Sequence, residues 1–146
     1  MRFVRSAAFL AAVALPASLL AQKQSVTAPG MNATATLTPG IRDGNILYVS
    51  GQLGTSRDAP DSTIQGQTKR ALENVQKIVE AAGSTMANVL KCTVFLADVK
   101  DFAGMNSAYT QAFPKEPPAR STIAVAALVS PAAKVEIECI AAVPGK

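Results

Sequence analysis

The amino-acid sequence predicts an α/β (α+β) domain: one mixed sheet with two helices on one face, in the order β-β-α-β-α-β-β. Three observations carry this. The chain has 146 residues, 49% hydrophobic and 16% charged, which suits one globular domain. Apolar residues recur at helical spacing in two stretches and alternate with polar ones in several others. Each predicted helix joins strands that must run parallel or nearly so, while short turns supply antiparallel pairs, so the sheet is mixed. Two amphipathic helices can cover only one of its faces.

The first segment stands outside that domain. Arg2 and Arg5 form a basic start, Ala7 to Leu20 is an apolar run broken only by Pro16 and Ser18, and Ala21 precedes a polar stretch. This is the layout of a secretory signal peptide over 1–21. The run is shorter than the roughly 20 apolar residues of a spanning helix. Its removal leaves 125 residues and takes two arginines away, lowering the formal charge from +4 to +2. The mature protein is then periplasmic or secreted, with no membrane attachment.

Residues 22–34 read as a flexible polar leader, and the domain proper as 35–146. Ala35 to Pro39 and Ile46 to Ser50 read as a hairpin around Asp43-Gly44-Asn45, ended by Gly51. Gln52 to Pro60 is a loop. Ile64, Ala71, Leu72, Val75, Ile78, Val79 and Ala82 share one face of a helix over 62–82. Ser62 and Gln65 resemble a capping box, and Gly83 suits the residue after the helix. Leu90 to Leu96 alternates as a strand, with Cys92, Val94 and Leu96 on one face and Lys91, Thr93 and Phe95 on the other. Phe102, Met105, Tyr109 and Phe113 form the apolar stripe of a second helix over 100–113, stopped by Pro114, Pro117 and Pro118. Arg120 to Ala127 and Lys134 to Val143 are the last strands, the latter with Val135, Ile137 and Cys139 inward and Glu136 and Glu138 outward. The sheet face carrying Lys91, Thr93, Glu136 and Glu138 is either solvated or packed against other subunits.

Composition excludes several chemistries. The chain has no histidine, which removes Ser-His-Asp and Cys-His catalysis and the commonest metal ligand. Two cysteines cannot build a structural zinc cluster. The weak positive charge lacks the clustered basic face of a nucleic-acid binder. Cys92 and Cys139 lie in strand-like runs and read as two core thiols rather than a disulfide, although export would permit pairing.

The ordered motifs resemble the RidA/YjgF family of reactive-intermediate deaminases. They are Gly44-Asn45-Ile46-Leu47-Tyr48-Val49-Ser50-Gly51-Gln52, the helix from Gln67 to Gly83, and Val94-Phe95-Leu96-Ala97-Asp98. Phe102, Asn106, Tyr109 and Phe113 follow, then Pro118-Ala119-Arg120-Ser121-Thr122 and Val135-Glu136-Ile137-Glu138-Cys139-Ile140-Ala141. The resemblance implies a chorismate-mutase-like sheet, a homotrimer with active sites between subunits, and hydrolysis of enamines and imines such as 2-iminopropanoate and 2-iminobutanoate to 2-keto acids and ammonia. It implies no metal or organic cofactor.

By the same resemblance, Arg120 takes the substrate carboxylate, to which a guanidinium offers two parallel N–H donors. Glu136 holds the attacking water and passes protons, with Glu138 as its neighbour and competitor. Ser50 and Gly51 line the pocket from a strand end, Asn106 is a polar pocket residue, and the Thr122 main chain lies near the imine nitrogen. The chain departs from the family pattern at three places. Leu37 stands nearest to a tyrosine that many deaminating members carry, Thr122 replaces a cysteine, and the loop Pro114–Pro118 is short. Two other functions compete: a non-catalytic protein holding small carboxylates in the same clefts, and a ribonuclease or translation inhibitor.

Overall fold

The computed structural model describes residues 23–55 and 62–145. The expected signal peptide and part of the loop after Gln52 lie outside the described residues. Among the described residues, six strands form one sheet: β1 (Gln24–Val26), β2 (Gly40–Asp43), β3 (Ile46–Leu53), β4 (Val89–Leu96), β5 (Ala119–Ala124) and β6 (Val135–Ala142). Helix α1 (Ile64–Ala81) joins β3 to β4, and helix α2 (Phe102–Ala112) joins β4 to β5. The strand order is β1-β2-β3-β6-β4-β5. Among the described residues, β4 and β5 are the one parallel pair of neighbours. β3 and β4 each run antiparallel to β6, which lies between them, so they share a direction, as a helical crossover requires.

The core lies between the helices and the sheet face that they cover. Leu47 and Val49 of β3, Cys92, Val94 and Leu96 of β4, and Val135, Ile137, Cys139 and Ala141 of β6 alternate into it. Leu72, Val75, Ile78 and Val79 of α1 and Met105 and Tyr109 of α2 meet them. Each large aliphatic buried in this way contributes about 1.5–3 kcal/mol. The opposite face carries Tyr48, Lys91, Thr93, Phe95, Ile123, Glu136 and Glu138. Tyr48 and Ile123 are about half exposed there, at 50% and 48%.

Several expectations are corrected. The leader is not loose throughout, because Gln24–Val26 pairs antiparallel with Gly40–Arg42 as β1. Val26 and Ala28 are buried in the core. Ala35 to Pro39 forms no strand: the Leu37 amide donates to Thr34 Oγ1 at 3.1 Å, and the Thr34 amide donates to the Leu37 carbonyl at 2.8 Å. A local hydroxyl bond of this kind competes with the sheet ladder. β3 does not stop at Gly51; it continues to Leu53 through a bulge between Val49 and Gln52. The cap of α1 is Thr63, whose side chain accepts the Gly66 amide at 3.1 Å, rather than Ser62. β5 ends at Ala124 rather than Ala127.

Cys92 and Cys139 are a disulfide, not two thiols. The reason is register. β4 and β6 pair so that Cys92 lies directly opposite Cys139 on the core face, with Cα atoms 4.1 Å apart.

Candidate active site

Arg120 is the second residue of β5, in register with Cys92 of β4, so its side chain leaves the sheet on the helix-covered side. There it meets α2. Its guanidinium carbon lies 4.7 Å from the centre of the Tyr109 ring and 5.9 Å from that of Phe102. Its Nη1 donates weakly to Met105 Sδ at 4.0 Å. Positions 102, 105 and 109 fall on one face of a helix, so one stripe of α2 cradles the cation. No carboxylate among the described residues forms an ion pair with Arg120. Asn106, Tyr109, Thr110, Phe113, Pro117 and Pro118 line with it a cleft of about 410 Å³.

This cleft is apolar on one wall and cationic at one point. Tyr109 is 4% exposed, and its hydroxyl has no hydrogen-bond partner among the described residues. Burial pushes the phenol up to about 12, against a smaller opposing pull from the Arg120 charge. Thr122 shares the Arg120 side of β5, and its Oγ1 is buried with no hydrogen-bond partner among the described residues. β5 is an edge strand of the sheet, so half of its main-chain groups face away from β4.

A second cluster forms on the open face. The bulge in β3 sets Gly51 beneath Glu136: a methyl group on Gly51 would fall 1.9 Å from Glu136 Oε1 and 2.9 Å from its Cδ. Only glycine leaves room for that carboxylate. The Ser50 hydroxyl donates to the Thr38 carbonyl at 2.6 Å, and its amide donates to the Pro39 carbonyl at 2.9 Å. These bonds hold the strand end against the β2 lead-in. Glu138 lies one pleat along the same face and is exposed, in register with Thr93.

The six predicted residues therefore fall into two groups. Arg120, Asn106 and Thr122 belong to the helix side of the outer strand. Ser50, Gly51 and Glu136 belong to the open side of the inner strands. The sheet separates the two groups within one chain. Leu37 is 52% exposed on the segment before β2. Sequence reading missed Tyr109 and Phe102 as partners of Arg120, because an apolar helical stripe looks the same whether it meets a core or a cation. Phe102 is 43% exposed and not a core residue.

Comparison with known proteins agrees with this architecture. Residues 27–143 match the family model described as endoribonuclease L-PSP. The bovine protein named 2-iminobutanoate/2-iminopropanoate deaminase is 38% identical over 127 residues, covering 85% of this chain and 92% of its own. Protein mmf1, mitochondrial, of Schizosaccharomyces pombe is 34% identical over 125 residues, covering 84% and 77%. The crystal structure of the YjgF gene product of E. coli superposes with a TM-score of 0.73 at 32% identity, covering 82% of this chain and 98% of that one. With the sheet order, the two helices on one face and these matches in agreement, the chain belongs to the RidA/YjgF family, the endoribonuclease L-PSP family of the matching model.

Proposed function

We propose that this protein is an exported enamine/imine deaminase that hydrolyses 2-imino acids of the 2-iminopropanoate and 2-iminobutanoate type to 2-keto acids and ammonia. The observation that carries it is Arg120: a guanidinium in a cleft, with aromatic and thioether neighbours and, among the described residues, no carboxylate partner. A permanent cation held in this way is suited to an anion from outside, and a planar carboxylate matches its paired donors.

The chemistry follows from the two clusters. Arg120 binds the carboxylate of the imino acid, with Asn106 and the Thr122 main chain beside it. Glu136 positions a water, whose oxygen adds to the imine carbon to give a carbinolamine. One proton of that water reaches the nitrogen as the carbinolamine forms; the hydroxyl proton follows it to the nitrogen as the C–N bond breaks, so ammonia leaves and the carbonyl forms. Because the sheet separates Arg120 from Glu136 in one chain, a complete site needs Ser50, Gly51 and Glu136 from a neighbouring copy. The open sheet face, with Tyr48 and Ile123 half exposed, supports a homotrimer whose members share sites. No cofactor enters this chemistry.

Two observations support export. The layout of 1–21 has a short basic start and one apolar run, whereas a mitochondrial leader is amphipathic and Arg-rich. The Cys92–Cys139 disulfide belongs to an oxidising compartment. N-terminal sequencing of the protein from the periplasmic fraction, expected to start at Gln22, tests this; an intact Met1 in the cytosol overturns it.

The activity is tested by 2-keto acid release from 2-iminopropanoate generated in the cuvette by an amino-acid oxidase, with semicarbazide trapping what escapes. Wild type accelerates the release, and Arg120→Ala lowers kcat/KM about 10²-fold, the loss of one charge-assisted contact pair. No acceleration by a folded oligomer overturns the deaminase reading. The exposed Leu37, where many members carry tyrosine, favours as second reading a carboxylate-binding protein that holds 2-oxobutanoate without turning over the imine. RNA cleavage that survives Arg120→Ala would instead select the ribonuclease reading.

A further inference from the structure

An arginine that must receive a substrate carboxylate faces a conflict. Its long side chain needs to be held still, yet each hydrogen bond or ion pair that holds it uses one of the N–H donors meant for the ligand. A carboxylate partner would also neutralise it. Holding the guanidinium by its face resolves the conflict, because a ring attracts the cation without occupying its donor edge.

Arg120 meets these conditions. The Tyr109 ring centre is 4.7 Å from its guanidinium carbon, Phe102 flanks it at 5.9 Å, and among the described residues a single N–H is engaged, weakly, by Met105 Sδ. The Tyr109 ring is itself fixed: it is buried and packs on Phe113 with centroids 4.9 Å apart at 41°. Its hydroxyl is buried and makes no hydrogen bond among the described residues, which hold the phenol by its ring.

We propose that Tyr109 is a positioning residue for Arg120: its ring face fixes the guanidinium plane so that the donor edge stays free for a carboxylate in the cleft. Phe102 assists from the exposed side. The hydroxyl has no part in this, so phenylalanine serves equally at position 109. The inference rests on the reading of Arg120 as carboxylate anchor, and the experiment separates the two.

The probe is 2-oxobutanoate, whose Kd is measured calorimetrically, together with KM and kcat for 2-iminobutanoate made in situ. The proteins are wild type, Arg120→Ala, Tyr109→Phe, Tyr109→Leu, Tyr109→Met and Phe102→Leu, each checked for folding by circular dichroism. Tyr109→Phe keeps Kd and KM within about twofold of wild type, since the ring face remains. Tyr109→Leu and Tyr109→Met raise both by about 2- to 30-fold, the span of a cation–π contact from exposed to desolvated, with kcat changed less than KM. Tyr109→Met keeps most of the volume, and either variant decides the question if the other does not fold. Phe102→Leu, at a partly exposed position, gives a smaller rise in the same direction. Ring-free variants that bind like wild type overturn the proposal, as does a Tyr109→Phe variant that loses as much as Tyr109→Leu. Wild type that fails to bind 2-oxobutanoate, or Arg120→Ala that binds as wild type does, overturns the anchor reading and this inference with it.

Discussion

Glu136 depends on a residue that carries no side chain. Its carboxylate occupies the space above Gly51 in which a Cβ would sit, at 1.9 Å from Oε1. Gly51→Ala therefore turns the flexible end of Glu136 away while leaving the core face of β3 untouched. Deaminase kcat is expected to fall about 10- to 100-fold with little change in melting temperature, by analogy with small misplacements of catalytic groups. Activity unchanged in Gly51→Ala would separate Glu136 from the chemistry. Tyr109 gives a second test at this scale. Burial raises its pKa from 10.0 to about 12, with the Arg120 charge opposing. The folded state thus holds the phenolic proton more tightly than the unfolded one. The stability this lends is complete below pH 10 and is lost as pH rises towards 12. In a Tyr48→Phe protein the remaining phenol is expected to ionise, by its ultraviolet absorbance, at about pH 12; ionisation near 10 would mean that the ring is not buried.

At the scale of elements, most of the strand and helix pattern was legible because alternation and helical spacing are local. The inward faces of β4 and β6 follow from period-two reading, and the buried face of α1 follows from Ile64, Ala71, Leu72, Val75, Ile78, Val79 and Ala82. What escaped depends on neighbours distant in sequence. β1 carries few apolar residues, and it exists because the outer edge of β2 accepts it. Gln67 is another case. It is 2% exposed on the core side of α1, where its Nε2 donates to the Ala132 carbonyl at 3.0 Å and its Oε1 accepts the Lys134 amide at 2.8 Å. One amide side chain thereby ties the loop before β6 to the first turns of α1. Gln67→Leu keeps the volume but leaves a main-chain donor and acceptor without partners, at a cost of about 1–3 kcal/mol. The expected fall in melting temperature is roughly 4–11 °C for a domain of this size. A fall of under 2 °C would show that water replaces both bonds. Nothing in the periodicity marks Gln67, because a polar residue on an apolar face looks locally like a fault.

At the scale of the whole molecule, register and faces decide what local reading could not. Cys92 and Cys139 are 47 residues apart and each reads as a small core side chain, but the β4–β6 register sets them opposite one another. The candidate site has the same character. Arg120 and Glu136 were legible as single residues in motifs, whereas their separation by the sheet is a property of the assembled chain. That separation makes a prediction about copies of the chain. Arg120→Ala and Glu136→Gln are each expected to keep about a hundredth of wild-type activity or less alone. When they are mixed in equal amounts, dissociated and reassembled, some clefts receive Arg120 from one variant and Glu136 from the other. For a closed ring in which each cleft takes one half from each of two neighbours, random assembly restores about a quarter of wild-type activity. Native mass spectrometry confirms that mixed oligomers have formed. Mixed oligomers with no recovered activity would place both residues' function within one chain. Recovery near a quarter would assign the open sheet face of one copy and the α2 cleft of the next to a single site, giving Tyr48 and Ile123, exposed in the lone chain, a surface to meet.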